Sequence, residues 1–378
     1  MDYETLKLVW WLLVGALLVG FAIMDGHDMG VGTLLPFVAK TDLERRVLLN
    51  TVAPHWEGNQ VWFVTAGGAI FAAWPLVYAT AFSGFYWAMM AALWALFFRP
   101  VGFTYRSKVH NPTWRSAWDW GLFIGGAVPP VIFGVAFGNL LLGVPFSFND
   151  YLMSTYTGSF WDLLNPFSLL VGVVSLAMIT TQGANYLMMR TEGDIYRRVR
   201  NASALASVVT LAGFAAAGVW VATAIPGYLI TSAIDANALP DPLAKTVVVQ
   251  AGAWMANYER WPLTIAVPAL AFAGLLASLL FSRMKQAGLA FWSSSVASAG
   301  IIGTAGVSLF PFIMPSSTDP RSSLTVYDAV SSHFTLGLML AATVIFLPLI
   351  VVYTSWCYKV MWGKVTTEFV AANDKSVY

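Results

Sequence analysis

Two aspartates and a histidine stand together in the stretch Phe21–Gly32, FAIMDGHDMGVG, inside a run that is otherwise apolar from about Leu6 to Ala39. Asp25 and Asp28 are three residues apart, so on a helix they share a face, while His27 points elsewhere. An ionised side chain in lipid costs roughly 2.5–3.5 kcal/mol on the mildest scales. Two on one face must therefore look into protein or water, and chemistry on protons is the default expectation. A blander reading has them as helix-end acids paired with Arg45, Arg46 or Arg99. A second polar cluster, His55-Trp56-Glu57-Gly58-Asn59-Gln60, opens the next apolar run. Glu57 suits a helix N-terminus through the dipole. It is also close enough in sequence to approach Asp25 and Asp28. Three acids, supported by Asn59, Gln60 and a counter-ion at Arg99, make a candidate proton entry, in which crowded carboxylates hold a proton more readily than isolated ones.

The elements that must position these groups are apolar spans. The chain has 378 residues, 58% hydrophobic and only 10% charged, against about 25% charged in an average soluble domain. This composition indicates a polytopic membrane protein, and a net charge of +1 argues against nucleic acid as a partner. The N-terminus, MDYETLK, is acidic and no small-residue cleavage site follows, so the first helix is expected to stay in the mature chain. Apolar runs of membrane length predict an all-α fold of nine transmembrane helices, at about 7–38, 55–74, 78–98, 119–143, 164–188, 203–225, 263–281, 290–312 and 335–361. Pro75–Val77 is expected to be the turn of a hairpin between the second and third. The capping-box sequence Thr41-Asp-Leu-Glu44 predicts a short surface helix through Arg46.

Alternate connections hold 16 of the 20 Lys and Arg residues, among them Arg45, Arg46, Arg99, Arg106, Arg190, Arg198 and Lys375. The positive-inside rule then sets the N-terminus in the periplasm and the C-terminus in the cytoplasm. The outer connections, 144–163, 226–262 and 313–334, are long enough to cap something on the outer face.

An internal repeat is written in the polar pattern. Leu12–Met29, LLVGALLVGFAIMDGHDM, aligns without a gap on Leu169–Tyr186, LLVGVVSLAMITTQGANY, so that Asp25-Gly-His-Asp28 falls on Gln182-Gly-Ala-Asn185. Four helices separate the copies. The expectation is a single membrane domain with a parallel 4 + 4 repeat, residues 7–143 and 164–312, plus a ninth helix at 335–361. Internal repeats of this kind are common in transport-related folds.

The four histidines are His27, His55, His110 and His333, and Cys357 is the single cysteine. Only His27 is read as deep, without a histidine at matching depth, so haem ligation by this chain is not expected. With no HExxH and no Cys pair, metal ligation is not expected either.

The residues so far, with WWLLVG (10–15), DGHDMGVG (25–32), HWEGNQVW (55–62), AGGAIFAAWP (66–75), FFRPVGF (97–103), GVAFGNLLLGVPF (134–146), FPFIMPSS (310–317) and YTSWCY (353–358), resemble subunit II of the cytochrome bd-type quinol oxidases over nearly the whole chain. The resemblance implies a complex that oxidises quinol and reduces oxygen to water with protons from the cytoplasm. It implies b-type and d-type haems carried by a partner, subunit I, so that this chain alone binds none and is not catalytic alone. It also implies small single-helix subunits as further partners and, in some members, a structural quinone. In the family the proton-path carboxylates match Asp25 and Glu57, beside Trp56. Two departures stand out. Position 57 is often Asp, and the residue between Gly26 and Asp28 is more often apolar or aromatic than histidine. A proton-coupled secondary transporter is the competing reading. It usually shows Gly or Pro breaks placed alike in both halves; Gly26 and Gly183 match, but no Pro accompanies either.

Overall fold

The computed structural model describes residues 1–373 and 377–378; Lys375, counted above among the inner cations, lies outside the described residues. The chain is mostly helical. Its helices are α1 (Tyr3–Val38), α2 (Asp42–Val52), α3 (Trp56–Ala73), α4 (Pro75–Gly84), α5 (Tyr86–Tyr105), α6 (Pro112–Leu142), α7 (Pro166–Arg190), α8 (Gly193–Thr223), α9 (Ala256–Arg260), α10 (Ala266–Arg283), α11 (Ala287–Leu309), α12 (His333–Val360) and α13 (Thr367–Ala372). Among the described residues, seven are individually long and apolar enough to cross a membrane, and the bent pair α3 and α4 makes an eighth. This is fewer than the nine expected spans; α11 lies where the eighth was expected but is not one of the seven.

Local chemistry accounts for the helix ends. Thr41 and Glu44 form the expected capping box, and α2 runs past Arg46 to Val52. Asn111 caps α6 by accepting from the amides of Thr113 and Trp114, with Pro112 as first residue, where a proline's missing N–H costs nothing. Two boundaries differ from expectation. Pro75 does not turn a hairpin. It starts α4, which bends 119° from α3, and the following span begins at Tyr86 rather than 78. A proline suits a helix's first position as well as a turn, so Pro75 alone did not distinguish them. Likewise α8 starts at Gly193, ten residues before the expected 203, because a polar first turn continues the helix beyond its apolar part.

The outer connections are not featureless. They carry three antiparallel pairs, β1 (Phe146–Phe148) with β2 (Ser154–Tyr156), β3 (Pro226–Ile230) with β4 (Val247–Ala251), and β5 (Phe312–Met314) with β6 (Leu324–Thr325). A buried cluster joins Tyr3, Leu6 and Trp10 of α1 to Trp74, Phe146, Phe148, Met314 and Leu324. Within this cap Lys7 is fully buried, and its Nζ donates to the carbonyls of Ala236, Ala238 and Tyr327 at 2.9–3.2 Å. The connections therefore close over the start of α1.

Helix α1 packs on α3, α6, α7 and α11. Its crossing with α7 is glycine on glycine. A Cβ on Gly183 would sit 2.6 Å from Gly30 backbone atoms, and one on Gly30 would sit 2.8 Å from the Gly183 Cα. Small residues at such crossings let backbones touch where no hydrophobic force separates helix from lipid. By contrast α12 is mostly exposed, including Leu338, Val344, Ile345, Phe346, Val352 and Trp356.

Candidate functional site: a buried polar cluster on the first helix

Asp25 is fully buried, and Arg99 of α5 meets it with both terminal nitrogens, Nη1 to Oδ2 at 2.9 Å and Nη2 to Oδ1 at 2.5 Å. This is the bidentate geometry that makes arginine–carboxylate pairs strong and directional. The site is prepared on two sides. Trp56 lies under the guanidinium, 5.5 Å from its ring centre, and is stacked on Phe103 at 5.2 Å. Gly125 of α6 makes room for the arginine stem; a Cβ there would come within 2.9 Å of Arg99 Cγ. The helix-end ion pair expected for these acids thus holds for Asp25, with Arg99 as counter-ion. Arg45 pairs with Asp119 instead, at 2.7 Å.

Asp28 sits one turn further on and is also buried. Its Oδ2 accepts from Asn59 Nδ2 at 2.7 Å. Its Oδ1 lies 3.2 Å from His27 Nε2 and 4.0 Å from His55 Nδ1. His27 therefore does not point away from the acids, and it does have a histidine beside it: the two imidazole centres are 5.9 Å apart. The inference from spacing failed because α3 brings His55 and Asn59 into the gap between successive side chains of α1.

Two tyrosines complete the cluster. The Tyr358 hydroxyl, from the far end of α12, is 2.7 Å from Asn59 Nδ2. The Tyr186 hydroxyl is 3.0 Å from His55 Nε2 and donates to the Thr51 carbonyl at 2.8 Å. Neither was expected from the sequence. Both stand in stretches singled out for other reasons, TTQGANY and YTSWCY, and a phenol in an apolar run was the available signal.

Glu57 is not part of this cluster. It is exposed, as are Val61, Val64 and Phe71 on the same stripe of α3. Trp56 and Asn59 turn inward, Gln60 is half-buried, and Glu57 turns out, as 100° per residue requires. The structure joins Asp25 to Arg99 and Trp56, and Asp28 to Asn59, but does not bring Glu57 to either aspartate.

A second charged network flanks the site where α5 ends and α6 begins. Arg106 donates to Asp119 and Asp42, and Arg115 donates to Asp42 at 2.6 Å. Burial opposes the Arg106 charge, but these two carboxylates outweigh it and raise its pKa. In the repeat position the polar groups are uncharged. Gln182 bonds Ser294 and Ser295, and Asn185 bonds Ser278 and Ser203, all at 2.6–2.8 Å.

Residues 6–361 match the profile of the family described as cytochrome bd terminal oxidase subunit II. The chain belongs to that family. It is 55% identical over 377 residues, all of both chains, to cytochrome bd-I ubiquinol oxidase subunit 2 of Escherichia coli strain K12. It is 53% identical, again over the whole of both, to a probable cytochrome oxidase subunit 2 of Haemophilus influenzae. It is 32% identical to cytochrome bd ubiquinol oxidase subunit 2 of Bacillus subtilis, over 95% of this chain and 96% of that one. Among solved structures, the bd oxidase from Geobacillus thermodenitrificans shares the fold, with a TM-score of 0.62 at 15% identity, over 94% of this chain and 98% of that chain. Family and apolar helices together make this a multi-pass protein of the bacterial inner membrane, a subunit of an oxidoreductase complex.

Proposed function

We propose that this chain is the non-haem subunit of a bd-type oxidase that oxidises quinol and reduces oxygen to water with cytoplasmic protons. Its partner is a haem-bearing subunit I, with small single-helix subunits as accessories. The haems, b-type and d-type, belong to the partner. A structural quinone in this chain is part of the same reading. The observation that carries the proposal is full-length membership of the subunit II family.

The proposed proton path uses Glu57, Asp25 and Asp28. Glu57 is exposed on a stripe of α3 beside the loosely covered α12. An ionisable group there suits a face covered by a partner rather than by lipid. In this arrangement Glu57 receives protons at the subunit boundary. The Asp25–Arg99 pair, with Trp56 beneath it, sets the charge of the region behind. Asn59 orients Asp28, and Gln60 borders the same helix start.

The finer topology belongs to the same reading: nine spans, N-terminus periplasmic, C-terminus cytoplasmic, and a 4 + 4 repeat of α1, α3, α5, α6 against α7, α8, α10, α11 with α12 appended. What supports the repeat is matched chemistry. Asp28 bonds Asn59 on the second helix of its half, and Asn185 bonds Ser203 on the second helix of the other. The third helix of each half also supplies a partner, though at different positions of the repeat: Arg99 to Asp25 and Ser278 to Asn185.

The test is purification of the complex. Haem spectra, a partner of similar size and quinol-dependent oxygen uptake are expected. A colourless chain that purifies alone and binds a small solute would overturn the reading in favour of a transporter.

A further inference from the structure

The orientations of His27 and His55 are fixed from behind. His27 Nδ1 is 2.9 Å from the Ile23 carbonyl, which can only accept. The His27 proton is therefore on Nδ1, and Nε2 presents a lone pair. The Tyr186 hydroxyl spends its one proton on the Thr51 carbonyl, so His55 Nε2 must be the donor to that hydroxyl and His55 Nδ1 keeps a lone pair. Each ring also packs against a phenol at a tilt of 31°, His27 on Tyr186 at 4.2 Å and His55 on Tyr358 at 4.4 Å.

Both lone pairs converge on Asp28. His27 Nε2, Asp28 Oδ1 and His55 Nδ1 all lie within 4.8 Å of one another. Asp28 Oδ1 is buried without a hydrogen-bond partner. Donors in reach are too few among the described residues. Asn59 has two N–H protons for three acceptors, Asp28 Oδ2 and the Tyr358 hydroxyl at 2.7 Å and His55 Nδ1 at 3.3 Å, and the two short contacts take both. Tyr358 has one proton for His27 Nε2 at 3.3 Å, His55 Nδ1 at 3.4 Å and Asn59 Oδ1 at 3.0 Å. Of the cations nearby, Arg99 is committed to Asp25 through both nitrogens, and Arg190, whose charge is felt by both histidines, stacks on Trp362. A buried carboxylate oxygen and two imidazole lone pairs thus face one another, an arrangement that costs several kcal/mol unless a metal cation or a proton fills it.

We propose that His27, Asp28 and His55 bind a divalent transition-metal ion, of which zinc is the probe. Two imidazoles and a carboxylate suit such ions. A tetrahedral ion with bonds of about 2.1 Å spaces its ligands about 3.4 Å apart, and the contacts to Asp28 Oδ1, 3.2 and 4.0 Å, bracket that spacing. The rear contacts to Ile23 and Tyr186 are the outer-shell bonds that orient ligating histidines. The Tyr358 hydroxyl, or a water in front of it, stands at the fourth position. His55, its side chain 8% exposed, is the edge by which the ion enters. This site goes beyond the oxidase assignment. When filled it removes Asp28 from proton traffic and leaves Glu57 and the Asp25–Arg99 pair untouched.

The purified complex is stripped with a chelator, loaded with zinc, desalted and analysed for metal and by zinc X-ray absorption. About one zinc per complex with imidazole scattering is expected. His27→Phe, which preserves the ring stacked on Tyr186, should lose it while haem content is unchanged. Equal zinc in wild type and variant, or no zinc in either, overturns the proposal and leaves a shared proton between His27 and Asp28 in its place. Should His27→Phe fail to assemble, the wild-type spectrum decides alone: zinc without imidazole neighbours overturns the site. A colourless preparation that still holds His27-dependent zinc would overturn the oxidase reading and leave the metal site standing.

Discussion

Asp25 and Arg99 neutralise each other in a buried, two-bond pair, and this changes what a substitution at Asp25 reports. Asp25→Asn leaves a guanidinium without its charge partner, a loss of about 3–5 kcal/mol for buried pairs. We expect reduced assembly, read as lower haem content of membranes, and partial recovery when Arg99→Met is combined with Asp25→Leu. Glu57 carries no such debt. Glu57→Gln should leave the haem spectrum intact and slow oxygen reduction, or its proton-gradient generation, several-fold, the lower range for losing a positioned proton carrier. Unchanged activity in an assembled complex would remove Glu57 from the path. At this scale the sequence was informative where a charge had one partner in reach: Arg99 was expected as a counter-ion and is one. It was misleading where three elements meet. Adjacent residues on one helix diverge, so His27 was assigned away from Asp28, and the neighbours around the two come from α3, α7 and α12.

At the scale of elements, the α1–α7 crossing allows no side chain between Gly30 and Gly183. Gly30→Leu or Gly183→Leu should abolish accumulation of the complex, checked by immunoblot and haem content, because backbone rather than a flexible side chain stands in the way. The repeat alignment pointed to Gly183 as the partner of Gly26 in sequence; that it touches Gly30 in space is information only packing contains. Helix α2 invites a test by pH. Burial would raise the Glu44 pKa, but Arg198, 2.6 Å away, and the amides of Lys40 and Thr41 lower it overall. The ionised carboxylate therefore stabilises the folded state above the usual carboxylate pKa of about 4.3, and the contribution fades as pH falls through the lower folded value. Thermal unfolding of wild type and Glu44→Gln should differ at neutral pH and converge in acid. The capping box was legible because its four residues are contiguous. The α4 bend was not, since Pro75 fits a turn and a helix start equally.

Across the whole molecule, the faces of α3 and α12 are candidates for a docking surface. The exposed stripe of α3 includes Gly58 and Gly68, around which an added Cβ meets nothing within 4 Å, and α12 stands mostly uncovered. If subunit I docks there, Gly68→Trp should separate the subunits on purification while this chain still accumulates in the membrane. An intact complex would move the docking face elsewhere. Most of the apolar spans were readable from run length. The three hairpins of the cap were not, because strands of two to five residues carry little periodic signal.

The Asp25–Arg99 pair has a further consequence, for synthesis. The two residues are 74 positions apart, so α1 leaves the ribosome well before α5. Until then its aspartate has no cation, and an unpaired arginine in α5 faces the same cost on arrival, roughly 2.5–3.5 kcal/mol at mid-membrane. The helices that carry them become comfortable in lipid only together. Stable insertion of α1 is thus expected to depend on α5, and deleting α5 should lower the fraction of α1 that spans the membrane.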